Sequence, residues 1–331
     1  MIAVDANGAD QGPGAVAEGV RRSGLPVLLF GPGAELANAG PNAEVVNAPE
    51  SIKGGDEPAA AVRVRPEASI VQAAQAVGEG RADALVSAGS TGPTLAAGTI
   101  AIRRIHGVFR PALAVLLPLP HGDVLLLDAG ASVEVRTEHL VQFAYMGAGF
   151  IEAVHGVGRP RVGLLSVGEE SGKGTPDVLA AHERIGEGNL NFVGNVEGFD
   201  LPTSGADVIV TDGFTGNVAL KVLESTANTL TGAIRGAIRS GRISSLGGLL
   251  VRRKLAALGD QLDPERAGGA ILLGLRKPVV VAHGSFGPVG IESAVRLAHR
   301  AVEEDMVGRT TRALEAAGAL RSAPTATVAG P

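Results

Sequence analysis

The chain has 331 residues, a net charge of −5 from 29 Lys and Arg against 34 Asp and Glu, and no cysteine. That length sets one large unit or two lobes with core enough to fold unaided. The missing cysteines exclude disulfides, thiolate metal sites and a cysteine nucleophile, and the acidic balance excludes a globally basic nucleic-acid binder. With 48 Gly and only 3% aromatic residues, the core is built from Ala, Val, Leu and Ile, and many loops use tight backbone.

Short apolar runs bounded by Gly or Pro predict strands over 2–4, 27–30, 44–47, 84–86, 113–117, 124–127, 161–165, 191–193, 208–210 and 279–281. Such runs suit strands buried on both faces of a largely parallel sheet. Helical patterns fall between them at 13–22, 67–77, 94–105, 137–154, 176–185, 217–239 and 290–305. Strand–helix alternation with crossovers predicts an α/β fold. No fixed-period repeat is visible. The region 232–276 breaks the rhythm, with no strand signal until Ala270 and with Leu246, Leu249, Leu250, Leu255, Leu258 and Leu262 interleaved with Arg252, Arg253 and Lys254. It reads as a helical excursion over about 232–268 from a domain spanning 1–317. The tail, 318–331, is rich in Ala, Ser, Thr and Pro and is expected to be disordered. Residues 1–4 run from a strand-like start into Asp5 without a basic segment or apolar signal core. The longest uncharged stretch, 85–102, is too rich in Ser, Thr and Gly for a membrane span. A cytoplasmic location is the expectation.

Ligands of open α/β sheets bind beyond the carboxyl ends of strands. Seven strand ends are polar and glycine-bearing: the loops opening at Asp5, Ser87, Asp128, Ser166, Gly194, Thr211 and Ala282. In the second, Ser90-Thr91-Gly92 opens a helix, where free amides and two hydroxyls make a cradle for phosphate or carboxylate; the same residues also suit a plain helix cap. Ala88-Gly89-Ser90-Thr91-Gly92 is also close to a nucleophile elbow, which keeps Ser90 as an acyl-forming alternative. The stretch 168–175 is one residue short of a Walker loop and puts Glu169 and Glu170 where phosphate would lie. Gly31-Pro32-Gly33 lacks the third glycine of a dinucleotide fingerprint. The seven His show no metal spacing. His106, His121, His155, His182 and His299 read as solvent or helix-surface residues, and His139 as structural. His283 differs, because it follows a buried run and precedes Gly284-Ser285.

Eight motifs in order carry a resemblance: Asp5-Ala6-x-Gly8-x-Asp10; Ser87-Ala88-Gly89-x-Thr91-Gly92; Glu138-His139-Leu140-x-Gln142-Phe143-Ala144-x-Met146-Gly147; Gly168-Glu169-Glu170-x-x-Lys173-Gly174; Asn191-Phe192-x-Gly194-Asn195-Val196-Glu197-Gly198; Asp212-Gly213-Phe214-x-Gly216-Asn217-Val218-x-Leu220-Lys221; Gly268-Gly269-Ala270-x-Leu272-Leu273-Gly274; and Ala282-His283-Gly284. From residue 1 to about residue 305 the chain resembles the bacterial phosphate acyltransferase family of phospholipid synthesis. Family members typically carry Met and Gly where this chain has Asn7 and Ala9, and Asn where it has Ser90 and Ser132. An Asn at position 90 leaves no shared route through a Ser90 ester.

The resemblance implies a three-layer α/β/α sandwich like that of phosphotransacetylases and isocitrate dehydrogenases, usually a homodimer, with no cofactor and no metal. It implies attack of inorganic phosphate on the thioester of a long-chain acyl-acyl-carrier-protein, the acyl phosphate passing to a membrane glycerol-3-phosphate acyltransferase. Such a site needs a dianion cradle, orientation and oxyanion stabilisation. Ser90, Thr91 and Gly92 are expected to hold phosphate, with Lys221 or Lys173 offsetting its charge. Asn195, Asn217 or His283 would donate to the oxyanion or the departing sulfur. Asp5, Asp10, Asp128, Glu197 and Asp212 are too many carboxylates for a phosphate site unless some orient donors; their alternative is capping of loops. The leucines of 246–262 beside their basic residues suit a peripheral contact with an anionic bilayer, a dimer interface or, through the basic residues, the acidic carrier protein. A phosphotransacetylase-like enzyme using acyl-coenzyme A and a non-catalytic acyl- or phosphate-binding protein are the competing readings.

Overall fold

The apolar runs become strands because both their faces are covered. Every residue of β1 (Ile2–Asp5), β2 (Val27–Gly31), β4 (Ala84–Ser87), β6 (Val124–Leu127), β9 (Val208–Val210) and β11 (Val279–Val281) is buried. The computed structural model describes residues 1–52, 55–203 and 205–321, leaving aside the side chains of residues 242 and 260. The remaining strands are β3 (Ala43–Asn47), β5 (Ala112–Leu117), β7 (Arg161–Leu165), β8 (Asn191–Val196) and β10 (Ala270–Leu273). All join one sheet in the order β3-β2-β1-β4-β11-β10-β5-β6-β9-β7-β8.

Alternate residues of each strand feed two separate cores. Ile2 and Val4, Leu125 and Leu127 enter one; Ala3, Val124 and Leu126 enter the other. Helices α1 (Pro13–Ser23), α5 (Thr137–His155), α6 (Pro176–Gly186), α10 (Pro288–Glu303) and α11 (Met306–Ala316) close the first face. Helices α2 (Pro58–Val64), α3 (Ser69–Gly78), α4 (Thr91–Ala97) and the first turns of α7 (Gly213–Arg239) close the second. The result is the three-layer α/β/α sandwich. Helix starts follow capping chemistry: Asp212 Oδ1 accepts from Thr215 N at 2.8 Å at the head of α7, and Pro13, Pro58, Pro176 and Pro288 sit in first turns.

The sheet is parallel within halves, not throughout. β3, β2, β1, β4 and β11 run one way; β10 is antiparallel to β11 and β5, and β5 is antiparallel to β6. The β5–β6 hairpin therefore reverses the chain, and β6, β9, β7 and β8 run opposite to the first five strands. This places the carboxyl ends of the two halves on opposite edges of the sheet.

Several elements depart from the sequence reading. α2 and α11 have no counterpart in it, and β10 begins at Ala270, where the strand signal resumes. The helix expected over 94–105 is α4 from Thr91 to Ala97, then a π-type turn over Gly98–Ile102, stopped by Arg103 at φ 68°. The helix expected over 290–305 breaks at Asp305 (φ 48°) before α11 begins. The excursion is a helical hairpin of α7 and α8 (Arg242–Gln261), followed by the short α9 (Pro264–Ala267). Of the tail expected to be disordered, residues 318–321 are held down: Gln142 Nε2 donates to Ala319 O at 2.8 Å, and Arg321 N donates to Gly107 O. Residues 322–331 lie outside the described residues.

Candidate functional site

Strand direction decides which of the expected site residues meet. At the first edge, the ends of β1, β4 and β11 bring together Asp5, Asp10, Ser90, Thr91, Gly92 and His283. Asp5 is 2% exposed and both its oxygens are engaged. Oδ1 accepts from Ser69 Oγ at 2.6 Å and Asn7 N at 3.2 Å, and Oδ2 accepts from Ser87 Oγ at 2.9 Å. Ser87 Oγ in turn accepts from Gly89 N at 3.1 Å. Asn7 Nδ2 shares its two protons among Ser69 Oγ, Ala48 O and Glu50 O. This one network ties the loops after β1, β3 and β4 to the start of α3. Gly8 is needed for it: its φ is +95°, and a Cβ there would stand 2.7 Å from Gly89 Cα. Burial pushes the Asp5 carboxyl up to about 6, against the pull of its Ser69, Ser87 and Asn7 hydrogen bonds.

Beside this network the Ser90 and Thr91 hydroxyls have no hydrogen-bond partner among the described residues, and Ser90 does not cap its helix with its side chain. The Thr91 and Gly92 amides, in the first turn, have no intrahelical acceptor. Asp5, Asn7, Ser69, Ser87, Ser90 and Thr94 line a hollow of about 30 Å³. That is room for about one water. Asp10 N donates to Gly284 O at 2.8 Å, which holds the β11 loop against it. His283 Nδ1 lies 2.7 Å from Ser285 Oγ and accepts from Ser285 N at 3.3 Å. The neutral ring then carries its proton on Nε2.

At the opposite edge, the ends of β6, β7, β8 and β9 gather Asp128, Lys173, Asn195, Glu197, Asp212, Asn217 and Lys221. Asp128 is fully buried. Its Oδ1 accepts from the amides of Leu113, Gly130 and Ala131 at 2.9–3.0 Å, and its Oδ2 from Ser132 N at 2.7 Å. Burial pushes its carboxyl up while the four amides pull it down. Ser132 O then accepts from Gly213 N at 2.8 Å, and a Cβ on Gly216 would overlap Asp128 O, so the head of α7 is seated on this loop. Asn217 stands beside Gly130. Lys221, one turn on, pairs with Glu224 at 2.9 Å on an exposed face. Asn195 is not in a strand-end loop as expected but inside β8. Its Nδ2 donates to Glu170 O at 2.9 Å, and its Oδ1 meets His182 Nδ1 at 3.0 Å, so both brace the loop that carries Lys173. The Lys173 ammonium has no partner among the described residues. Glu197 N donates to Asp200 Oδ2 at 2.8 Å.

The thirteen residues thus lie at two opposite ends of the strands rather than one. The sequence reading missed Ser69 and His182, and it named Ser87 only as the opening of a loop. A serine heading the apolar run of α3 was the available signal for Ser69, which is 1% exposed and hydrogen-bonded. Among the described residues no three His, Asp or Glu side chains are grouped to hold a metal ion.

A sandwich with this sheet defines a structural class. The chain superposes on EutD phosphotransacetylase from Staphylococcus aureus with a TM-score of 0.59 at 17% identity, over 91% of this chain and 94% of that one. For a phosphotransacetylase from Streptococcus pyogenes the values are 0.59 and 18%, over 95% and 94%. Sequence goes further than fold. Residues 1–309 match the family described as fatty acid synthesis protein, and the chain belongs to that family. It is 41% identical over 325 residues to a phosphate acyltransferase of Lactococcus lactis subsp. lactis (strain IL1403), covering 95% of this chain and 98% of that protein. To the phosphate acyltransferase of Geobacillus sp. (strain WCH70) it is 43% identical over 323 residues, again 95% and 98%.

Proposed function

We propose that this chain is a phosphate acyltransferase that moves a long-chain acyl group from acyl-acyl-carrier-protein to inorganic phosphate. The observation that carries the reading is identity of 41–43% with phosphate acyltransferases over almost the whole of both chains. A phosphate oxygen attacks the thioester carbonyl, the O–C bond forms, the C–S bond breaks, and the thiolate of the carrier departs. Phosphate is already nucleophilic and thiolate leaves readily, so the protein supplies position and charge stabilisation rather than a strong base. Ser90, Thr91 and the Gly92 amide hold the phosphate, with Asp5 bracing the loop beneath them. The Nε2 proton of His283, at the same edge, is placed to donate to the oxyanion. Lys173, Lys221, Asn195 and Asn217 stand at the other edge. They serve this reaction only where α7 or a second subunit brings them to the cradle. A homodimer is part of the reading.

Purified protein with palmitoyl-acyl-carrier-protein and phosphate is expected to give acyl phosphate, trapped as the hydroxamate with hydroxylamine. Absence of phosphate-dependent product sinks the reading. Product from acyl-coenzyme A alone moves it to a phosphotransacetylase, the reading favoured by the fold likeness. Thr91→Ala is expected to raise the phosphate KM by about tenfold, the loss of one hydrogen bond to a charged ligand. An unchanged KM and kcat removes the cradle.

The α7–α8 hairpin supports the membrane half of the reading. Among the described residues α8 buries no side chain, and Ile243 and Leu250 are 90% and 82% exposed. Residues 213–261 carry seven Lys or Arg against Glu224 and Asp260, which gives +5 in a chain of −5. No described helix is long and apolar enough to cross a membrane. An apolar, basic hairpin instead lies on an anionic surface, where the acyl phosphate passes to a membrane glycerol-3-phosphate acyltransferase. Co-sedimentation with anionic vesicles is expected at low salt and weakened at high salt. No binding at low salt assigns the leucines to the dimer interface.

A further inference from the structure

We infer that the open cavity between α2, α3 and the π-type turn after α4 receives the methyl end of the acyl chain and sets the chain length the enzyme prefers. This rests on the acyl-transfer reading above. The cavity holds about 250 Å³ and has a floor of Val62, Val71 and Ala97, all buried, with Ile100 and Ala101 at its side and Gln75 at its rim. It is a little smaller than the 300–1,000 Å³ or so that engulfs a whole drug-sized ligand, so it fits the end of a chain rather than an entire lipid.

Two further observations point the same way. The cavity and the hollow beside Ser90 are lined by different residues of the same two helices. Ile70 lines the hollow and Val71 the cavity on α3; Thr94 lines the hollow and Ala97 the cavity on α4. From Thr94 to Ala101 is about 10 Å at a helical rise of about 1.5 Å per residue. An acyl group whose carbonyl meets phosphate at Ser90 would therefore run along the α3–α4 seam and end in the cavity. The backbone is also unusual just there. A regular α-helix would continue through Gly98; the chain instead widens into the π-type turn, leaves Ile100 43% exposed, and stops at Arg103 in the left-handed region. Such insertions persist where a site needs them. The face toward the cavity is apolar, and the polar groups at its rim, Arg63 and Gln75, are exposed. That is the arrangement that excludes a charged ligand from the interior and admits a hydrocarbon.

The test compares donors of ten, twelve, fourteen, sixteen and eighteen carbons on the wild-type chain, Ala101→Leu and Gln75→Ala. Ala101→Leu narrows the cavity and is expected to lower kcat/KM for the sixteen- and eighteen-carbon donors by about tenfold or more, the scale of a methylene misfit, with the ten-carbon donor changed less than about twofold. The ten-carbon rate doubles as the check that the variant is folded. Gln75→Ala, at the rim, is expected to shift preference toward eighteen carbons. An equal fall for every donor, or an unchanged profile in both variants, overturns the inference. A parallel measurement needs no turnover: cis-parinaric acid fluorescence is expected to report binding to the wild-type chain, at least about tenfold weaker in Ala101→Leu. A wild-type chain that binds the probe in this way but makes no acyl phosphate refutes the catalytic reading and leaves the cavity standing. Equal binding by the two chains removes the cavity whatever the catalytic result.

Discussion

Asp5→Asn is expected to make the protein more stable at neutral pH. The Asp5 carboxyl is raised from an ordinary 3.8 to about 6 by burial. A group whose folded-state pKa is raised contributes stability that is complete below about pH 3.8 and is lost as pH climbs through about 6. At 1.36 kcal/mol per unit the loss by pH 7 is about 3 kcal/mol. Asparagine keeps the shape and carries no charge to desolvate. Its oxygen can still accept from Ser69 Oγ and Asn7 N, and its amide can donate to Ser87 Oγ, whose own proton then loses its acceptor at a cost of about 1 kcal/mol, less than the desolvation removed. Chemical denaturation at pH 5 and pH 8 checks this. The wild-type chain should lose stability relative to the variant between those values, and parallel curves would refute the buried ionisation. Both Asp5 oxygens are engaged by the protein, so phosphate KM in the variant is expected to stay within about threefold, an energy below 1 kcal/mol. A large rise would mean that the carboxylate touches the ligand itself.

The same substitution at Asp128 is expected to do the reverse. Asp128 accepts from four backbone amides and from nothing that can switch role. An Asn there must point its NH2 either at Ser132 N or at the three amides on the other oxygen. One donor then faces another in a fully buried site, and amides lose their acceptor. Each such orphan costs about 1–3 kcal/mol, so Asp128→Asn should lose about 3 kcal/mol or more. The loss should spread to the head of α7, because Ser132 O holds Gly213 N and Gly216 lies against Asp128 O. Hydrogen exchange across residues 128–132 and 213–220 would show it as faster opening. A wild-type denaturation midpoint in Asp128→Asn would refute the four-amide account. Opposite signs for one chemical change at two buried aspartates come from the partners alone: hydroxyls adapt, amide N–H groups do not.

The strands were legible because their signal is local. Runs such as Val124–Leu127 and Val279–Val281 are apolar throughout and appear as strands at the residues expected. Elements with weak local signal were missed. α2 is seven residues long, and α11 carries Gly308 and two threonines, which lower helix propensity. β10 lies in a Gly-bounded run signalled only at Ala270, and it pairs with β11 just after it and with β5, which is distant in sequence. The helix start at Ser90 and Thr91 was readable, since two hydroxyls and a glycine make a short pattern. The brace beneath it was not. Asn7, Ser69 and Ser87 meet Asp5 only because β1 and β4 are neighbours and α3 crosses their face. Asn7 supplies bonds to Ala48 O and Glu50 O through its side-chain amide.

By itself the sequence determined the fold class, the order of most strands and helices, the family, and the loops rich enough in Gly, Asp and Ser to matter. Those depend on apolar period, capping residues and short motifs, each read within a few positions. The tertiary structure alone decided how these loops divide. The β5–β6 hairpin reverses the strand direction, and that reversal sends Asp5, Ser90 and His283 to one edge of the sheet and Asp128, Asn195 and Lys221 to the other. The short 118–123 connection leaves β5 and β6 no choice but to run opposed; which strands join on either side of that hairpin, and so which loops share its direction, is set by long-range pairing. The same pairing set the two aspartates apart, one among hydroxyls and one among amides, and with them the chemistry each can do.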